Sequence, residues 1–190
     1  MGGSWPAWQR AYRYGVLVIT PPPDLASAFD AIRERVAPLS AARMGAHVTV
    51  TPPFAAGPSS ADEERIRTAI QAVPSTRLKL EPPTQFSGSS VTYLPVVPAQ
   101  AVLGLREVLI ATGLFRLDVP HMTDFVPHLT LSEFGSAPAA SLAMALPQPE
   151  EMVFRADSVA WVVPDEAFHF TVRRTFSLAP WQHRVTAPDV

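Results

Sequence analysis

The stretch Val126-Pro127-His128-Leu129-Thr130-Leu131-Ser132 repeats the pattern of an earlier stretch, Ala46-His47-Val48-Thr49-Val50-Thr51. In each stretch a threonine follows the histidine by two positions, and most of the remaining residues are apolar and favour a strand. Side chains alternate between the two faces of a strand, so the histidine and the hydroxyl residues share one face. The pattern predicts two strands that each present an imidazole and hydroxyl groups: His47, Thr49 and Thr51 on one, His128, Thr130 and Ser132 on the other.

The composition of the 190-residue chain excludes several kinds of site. The chain contains no cysteine, which rules out a disulfide framework, a thiol nucleophile and a thiolate metal site. Hydrophobic residues make up 47% of it, enough for one well-buried domain. We expect a single domain over residues 1–190, with its core over about residues 14–178 and flexible ends. Histidine, carboxylate and hydroxyl groups are left to carry the chemistry.

The charge argues against a long polyanion as the partner. The formal net charge is −2, whereas proteins that bind extended nucleic acid usually carry a basic face or stripe. A small phosphate ester or the end of an RNA fits this charge better than an extended duplex. No apolar run approaches the roughly 20 residues that cross a bilayer, and the N-terminus lacks the order of a signal peptide. We therefore expect a cytoplasmic protein with no membrane partner, and a monomer.

Apolar periodicity and the positions of the prolines divide the chain into strands and helices. The predicted strands are residues 14–20, 47–54, a segment beginning at Leu78 and Leu80, 91–97, a segment containing His128, 153–163 and 168–178. The predicted helices are residues 24–36 with Asp24 as N-cap, 60–73 with Ser60 as N-cap, 98–112 ending at Gly113, and 137–146. Residues 85–90 are predicted to form a loop, and residues 164–166 the turn of a final hairpin.

The order of these elements indicates a weak internal duplication. A strand, a proline, a helix and a His-x-Thr strand occur in the first half, and the same sequence of elements occurs again from residue 91 onward. Each half therefore contributes one motif histidine. A cleft between two similar lobes is where His47 and His128 would meet.

Hydrolysis of a phosphodiester without a metal needs a base, an acid and donors that hold the non-bridging oxygens. Two histidines can supply the base and the acid near neutral pH, because an unperturbed imidazole titrates around pH 6.5. Two threonine hydroxyls can supply the donors. A cyclic phosphate suits this arrangement best, since its leaving group stays tethered.

The chain resembles the two-histidine (2H) phosphoesterase superfamily, which includes LigT-like or 2′-5′ RNA ligase proteins and cyclic phosphodiesterases. The resemblance rests on His47-Val48-Thr49 followed by Pro52-Pro53-Phe54, and on Pro127-His128-Leu129-Thr130-Leu131. It implies an α+β bilobal fold, with two pseudo-symmetric lobes whose antiparallel sheets line a central cleft and whose helices lie outside. It also implies that His47 and His128 are catalytic, that Thr49 and Thr130 bind substrate, and that neither a metal nor another cofactor is needed.

Other residues compete for roles in the site. His121-Met122-Thr123 and His169-Phe170-Thr171 also fit His-x-Thr. Apolar alternation continues after His128 but not after His121, so we assign the motif to His128 and place His121 in a loop at the cleft mouth, where it could contact substrate. His169 lies on the last strand, with Thr171, Arg173 and Thr175 on its face and Phe170, Val172 and Phe176 on the other. This face is either exposed to solvent or lines the cleft, in which case Arg173 would bind phosphate.

The favoured hypothesis is a metal-independent phosphodiesterase that hydrolyses a 2′,3′-cyclic phosphate or a related nucleotide or RNA-end phosphodiester. The same site run backwards would give 2′-5′ RNA ligase activity. Two alternatives are not enzymes: a nucleotide- or RNA-binding module with negligible turnover, and a purely structural domain. Arg43 could help to neutralise phosphate, and four aromatic residues could stack on a base or belong to the core: Phe54, Phe86, Phe125 and Trp161.

Overall fold

Nine strands form one sheet in the computed structural model, which describes residues 5–119, 124–133 and 137–181. Its strands are β1 (Val16–Ile19), β2 (Val48–Thr49), β3 (Thr76–Leu80), β4 (Thr84–Gln85), β5 (Thr92–Val97), β6 (His128–Ser132), β7 (Val153–Ala156), β8 (Ser158–Pro164) and β9 (Phe170–Ser177). The order across the sheet is β7-β3-β5-β6-β2-β1-β8-β9, and β4 pairs with β5. All these pairs are antiparallel.

The two His-x-Thr strands, β2 and β6, are neighbours at the centre of the sheet. Three strands continue the sheet beyond β2, and three continue it beyond β6. The chain thus forms two lobes of similar construction that meet at the motif strands. This is the α+β bilobal architecture predicted from the duplication and the resemblance, and the antiparallel strands curl around the site.

The helices pack mostly on one face of the sheet and enclose the main core, but the first of them lies at the other face. They are α1 (Ala7–Ala11), α2 (Pro23–Val36), α3 (Pro38–Arg43), α4 (Ser60–Gln71), α5 (Ala99–Ile110) and α6 (Ala137–Ala145). The predicted apolar face of α2 is confirmed, since Leu25, Phe29, Ile32 and Val36 are all buried in this core. Strand β1 is buried on both faces, as predicted: Leu17 and Ile19 join the main core, whereas Val16 and Val18 pack on the other face. We call that other face, which carries the motif histidines, the histidine face. None of the helices in the described part of the chain is long and apolar enough to cross a bilayer.

Two predicted N-caps are wrong, the first by two positions and the second by one. Helix α2 begins at Pro23, so Asp24 lies within the first turn and no side chain caps this end. Proline suits this position because its missing N–H would be unpaired there in any case. Helix α4 is capped by Ser59 rather than by Ser60, because Asp62 lies three residues after Ser59 and completes a reciprocal capping box.

The strand predicted over residues 47–54 is shorter than expected. Only Val48–Thr49 forms regular strand pairing. The regular pairing ends there because the backbone N–H groups of Val50 and Thr51 both donate to the Leu17 carbonyl, at 2.9 and 3.3 Å. This distortion ends the regular alternation. The Thr51 hydroxyl is buried and accepts a hydrogen bond from the Leu17 N–H at 3.1 Å, so Thr51 leaves the histidine face.

The last quarter of the chain is only partly a hairpin. Strands β8 and β9 form the predicted hairpin, but residues 153–163 divide into β7 and β8, and β7 pairs with β3 in the other lobe. A bulge between Trp161 and Val162 also shifts the register of β9. As a result Val172 pairs with Val162 on the histidine face, whereas Phe176 pairs with Val159 in the main core. The prediction that these two β9 residues share a face is therefore wrong.

Candidate active site

The four motif side chains form a square on the histidine face. Val48 pairs with Leu129, so the register places His47 opposite Thr130, and Thr49 opposite His128, one step to either side. Directly opposite side chains lie about 5 Å apart in such a pair, and diagonal neighbours about 7–8 Å. The two histidines therefore occupy one diagonal and the two threonines the other. A phosphate group at the centre of the square would be in reach of all four.

Both histidines are held in the same tautomer by the same local hydrogen bond. The Nδ1 of His47 lies 2.7 Å from the Gly45 carbonyl, and the Nδ1 of His128 lies 2.6 Å from the Val126 carbonyl. A carbonyl oxygen can only accept, so each Nδ1 carries the proton and donates it. Each Nε2 of the neutral ring then has a free lone pair, as a general base requires.

The loop before His47 is anchored by an ion pair on α2. The Arg33 Nη1 donates to Asp30 Oδ1 and to the Met44 carbonyl, both at 2.7 Å, and the same Asp30 oxygen accepts from the Ala46 N–H at 2.7 Å. The Arg33 side chain is only 4% exposed. These bonds fix the backbone on both sides of Gly45, whose carbonyl orients His47.

The square lies at the bottom of a cavity of about 270 Å³. All four motif residues line it, together with two cations, Arg33 and Arg43, and one carboxylate, Glu133. Within the described chain neither the Thr49 nor the Thr130 hydroxyl has a hydrogen-bond partner. The floor of the cavity thus offers two unoccupied hydroxyls beside two imidazoles.

One wall of the cavity is aromatic, and sequence reasoning missed it. Helix α1 and its C-cap, together with the β8–β9 turn and the first residue of β9, contribute four rings to this aromatic wall: Trp8, Tyr12, Phe168 and Phe170. Phe168 is at its centre, with ring centroids 5.3 Å from Trp8, 6.3 Å from Tyr12 and 5.1 Å from Phe170. Two of these rings, Trp8 and Tyr12, precede residue 14. The spacing of Trp5, Trp8 and Tyr12, three and four residues apart, is the helical signal that could have revealed the wall.

The position of Phe168 is conformationally costly. Its φ is +67°, a left-handed conformation that bulky residues rarely adopt and that costs on the order of 1–2 kcal/mol. The turn compensates through Asp165, whose carbonyl accepts from the Phe168 N–H and whose side chain accepts from the N–H groups of Ala167 and His169. The turn thus fixes an aromatic ring against the cavity.

The remaining predicted residues lie elsewhere. Ser132 is buried and does not line the cavity. His169 lies in the turn before β9, half exposed, 3.6 Å from the Asp165 carboxylate. Arg173 lies at the β9 bulge with an exposed side chain that does not line the cavity, so the structure does not support its predicted contact with phosphate. His121 lies outside the described residues, and its predicted contact with substrate stays a prediction.

The four aromatic residues first considered for base stacking are not part of the aromatic wall. Phe54 and Trp161 are buried in the core. Phe125 lies against the Arg106 guanidinium, 4.1 Å from the ring centroid. Phe86 stacks on Tyr93, and both rings meet the edge of His128 at 5.2 Å between centroids. Phe86 therefore contacts a motif residue, His128.

The environment lowers the pKa of both histidines, but the opposing influences differ. Burial lowers the pKa of His47 to about 4, and the positive charges of Arg33 and His128 act in the same direction, while the Gly45 hydrogen bond and Asp30 oppose them. Burial also lowers the pKa of His128, but the Val126 hydrogen bond and the negative charge of Glu133 oppose this shift. His47 is therefore suited to accept a proton at neutral pH, and His128 is the one with a carboxylate nearby that favours its protonated form.

The pKa of His47 makes the stability of the protein pH-dependent. The pKa of this imidazole is 6.5 in the unfolded chain and about 4 in the folded chain. Between these values the unfolded state binds more protons, so stability is present above about pH 6.5 and is lost as the pH falls toward 4. Each pKa unit corresponds to about 1.4 kcal/mol of unfolding free energy. The wild-type free energy of unfolding should therefore fall over this pH range by up to roughly 3 kcal/mol more than that of His47→Gln. Urea unfolding at pH 7 and pH 4.5 measures the difference, and identical losses in both proteins would contradict the assignment.

A family model described as the 2′-5′ RNA ligase superfamily matches residues 21–167, which contain both His-x-Thr stretches. The chain belongs to this superfamily, the 2H phosphoesterases. The match begins after α1 and ends before Phe168, so the 2H phosphoesterase motifs lie within it and the aromatic wall lies outside it. The resemblance inferred from the two motifs is thereby confirmed.

Solved structures show the same 2H fold. Escherichia coli LigT complexed with 3′-AMP is 18% identical, with a TM-score of 0.59 over 87% of this chain and 98% of that one. The protein TT0787 of Thermus thermophilus is 17% identical, with a TM-score of 0.58 over 88% and 98% of the two chains. A structure described as a phosphoesterase is 19% identical, with a TM-score of 0.52 over 86% and 97%. No curated protein matches the sequence.

Proposed function

We propose that this 2H phosphoesterase is a metal-independent phosphodiesterase that hydrolyses a nucleoside 2′,3′-cyclic phosphate or a related phosphodiester at an RNA end. The observation that carries the proposal is the square of His47, Thr49, His128 and Thr130 at the bottom of the cavity. A structural domain has no need of two imidazoles with free Nε2 atoms in a shared cavity. Binding alone would not need two proton-transfer groups.

In this proposal His47 is the base and His128 the acid. The His47 Nε2 takes a proton from water, and the water oxygen forms a bond to phosphorus. The bond from phosphorus to one ribose oxygen breaks, and protonated His128 gives its proton to that oxygen. A bound phosphate anion favours the protonated imidazole, which raises the pKa of His128 in the complex. Thr49 and Thr130 donate hydrogen bonds to the non-bridging oxygens.

The rest of the cavity supports a nucleotide as the substrate. Arg33 and Arg43 place positive charge beside the square, and the aromatic wall offers faces on which a base can stack. The volume of about 270 Å³ is near the lower end of ligand cavities, as expected for a mononucleotide or a single terminal nucleotide. The E. coli relative was solved with 3′-AMP, a nucleoside monophosphate.

Ligation is the second candidate reaction, because the family model is described by 2′-5′ RNA ligase activity. It would use the same groups with a different nucleophile. The 5′-hydroxyl of a second RNA end would lose its proton to His47 and form a bond to the phosphorus of the cyclic phosphate, and the bond from phosphorus to the 3′ oxygen would break as His128 protonates that oxygen, which leaves a 2′-5′ linkage. From the same cyclic phosphate, hydrolysis gives a phosphate monoester and ligation gives a joined RNA.

The proposal is tested by incubating the protein in EDTA with nucleoside 2′,3′-cyclic phosphates, and separately with RNA ends that carry a cyclic phosphate and a 5′-hydroxyl. We expect a nucleoside monophosphate from the first reaction, identified by ³¹P NMR. Joined RNA without hydrolysis would favour the ligase reaction instead. Nucleotide binding with neither product would overturn the claim of catalysis.

Removing one hydroxyl from the square is expected to slow the reaction strongly. Thr49→Val or Thr130→Val keeps the shape of the side chain but removes a donor to the phosphate, so we expect kcat to fall about 10²-fold. Thr51→Val is the matched control, because that hydroxyl accepts from the Leu17 N–H instead of lining the cavity. It should lower the free energy of unfolding by about 1–3 kcal/mol and leave kcat near the wild-type value. Equal kcat losses in all three variants would contradict the assignment.

A further inference from the structure

One carboxylate lies in a cavity that is otherwise equipped to bind an anion. Glu133 follows directly after β6, lines the cavity with His128 and Arg43, and forms no ion pair with a described residue. Its Oε1 accepts a hydrogen bond from the Ser40 hydroxyl at 2.7 Å, and Ser40 is buried. A conformation held by a buried hydroxyl makes this carboxylate a fixed feature of the site.

Glu133 is close to both the square and the aromatic wall. It lines the same cavity as His128 and Thr130 of the square and Tyr12 of the wall. Its negative charge opposes the lowering of the His128 pKa by burial, and it adds to the raising of the Tyr12 pKa by burial. A nucleoside whose phosphate occupied the square and whose base lay on the wall would therefore pass by this carboxylate.

The second oxygen of Glu133, which has no partner among the described residues, imposes two conditions on such a ligand. An ionised carboxylate can only accept hydrogen bonds, so it favours a ligand that donates a hydroxyl or an amino N–H. It also repels any negative charge beyond the phosphate in the square. Like charges some 8–10 Å apart at an effective dielectric of about 20 repel enough to weaken binding by about 10-fold.

We propose that Glu133 is a specificity-determining residue that selects nucleotides with a single phosphate, accepting a hydrogen bond from the nucleoside and repelling a second phosphate. This inference rests on the proposed function, since it places the reacting phosphate in the square. It narrows the substrate class to mononucleotides whose 5′ position carries a hydroxyl, and it disfavours RNA ends, whose terminal nucleoside continues through a 5′ phosphodiester.

The test compares the affinities for adenosine 3′-monophosphate and adenosine 3′,5′-bisphosphate, measured by isothermal titration calorimetry at fixed salt. Wild type should bind the monophosphate more tightly, although Arg33 and Arg43 alone would favour the bisphosphate, and the repulsion from Glu133 should account for a change of about 10-fold in the ratio of the two affinities. Glu133→Gln keeps the size of the side chain and removes the charge, so the preference should vanish or reverse. Glu107→Gln removes the same charge from the exposed surface of α5 and should keep the wild-type ratio.

Two further measurements keep the inference testable if Glu133→Gln does not fold. The wild-type preference should shrink as salt is raised from about 50 to about 500 mM, because added salt screens the repulsion. Ser40→Ala removes the hydroxyl but keeps the charge, so the preference for the monophosphate should remain. Equal or tighter binding of the bisphosphate by wild type, or an unchanged ratio in Glu133→Gln, would overturn the inference.

Parallel assays with a 2′,3′-cyclic phosphate separate this inference from the proposed reaction. Hydrolysis by wild type together with an unchanged ratio in Glu133→Gln would leave the reaction intact and overturn the role of Glu133. Absent hydrolysis with the expected change in ratio would support the role of Glu133 and overturn the reaction.

Discussion

Replacing His47 or His128 by alanine should lower kcat for 2′,3′-cyclic phosphate hydrolysis by about 10²- to 10⁴-fold, the contribution typical of a positioned acid or base. The effect should lie in kcat more than in KM, because the proton transfers occur in the transition state. Both rings are partly buried, and among the described residues each has a single hydrogen-bond partner, a nearby backbone carbonyl, so their removal should change the fold little. Steady-state kinetics in EDTA, with circular dichroism to verify folding, measures the loss.

The chain supplies a matched control for this experiment in His169. It belongs to the fourth His-x-Thr pattern of the chain, but its side chain is exposed in the β8–β9 turn and does not line the cavity. His169→Ala should therefore keep kcat within about threefold of wild type. A comparable loss in His169→Ala, or full activity in His47→Ala, would contradict the assignment of the pair.

Replacing Asp30 by alanine should destabilise the protein and misplace His47. The change leaves the Arg33 guanidinium, on a side chain only 4% exposed, without its carboxylate, and it removes the acceptor of the Ala46 N–H. Breaking a buried pair on one side costs about 3–5 kcal/mol, and the 32% exposure of the Asp30 side chain reduces our expectation to about 2–3 kcal/mol. Loss of the anchor beside Gly45 should also lower kcat by about 10- to 100-fold.

Glu64→Ala is the control for the Asp30 variant. Glu64 pairs with Arg67 at the same i, i+3 spacing on α4, but both side chains are about half exposed. Such a pair contributes at most about 0.5 kcal/mol, and kcat should not change. Urea unfolding and steady-state kinetics on both variants measure the two effects. Asp30→Asn keeps an acceptor oxygen, so it should recover part of the lost stability and part of the lost kcat. Equal free energies of unfolding for Asp30→Ala and Glu64→Ala would contradict the proposed role of the Asp30–Arg33 pair in stabilising the loop before His47.

The square could be predicted from the sequence because strand alternation is a local rule. Each threonine follows its histidine by two positions, so their common face follows as soon as the strand is recognised. The duplicated order of elements then indicated that the two strands come from equivalent places in two lobes, and the pairing of Val48 with Leu129 agrees with this.

Features that depend on irregular backbone could not be predicted in the same way. The shared Leu17 carbonyl turns Thr51 away from His47, and the bulge beside Trp161 reverses the faces of the later β9 residues. Pro52 directly follows the first irregularity and marks the end of the strand but not the side to which Thr51 turns, and no glycine or proline lies at the second. The pairing of β7 with β3 depends on contacts distant in sequence, which local patterns do not contain.

The aromatic wall was missed for a further reason. Helix α1 has only five residues, and such a short helix depends on tertiary packing rather than on its own propensity. Its rings are fixed by Phe168, which lies in a costly conformation in the distant β8–β9 turn. Only the spacing of its aromatic residues was visible in the sequence.

The most direct test of the central claim, that His47 and His128 act as one acid and base pair on one phosphate, is the kcat of the double variant His47→Ala/His128→Ala. Groups that act as a unit lose nearly all of their joint contribution when either is removed, so the double variant should be slower than either single variant by no more than about threefold. Losses that multiply, giving a double variant slower by the product of the two single effects, would contradict the account.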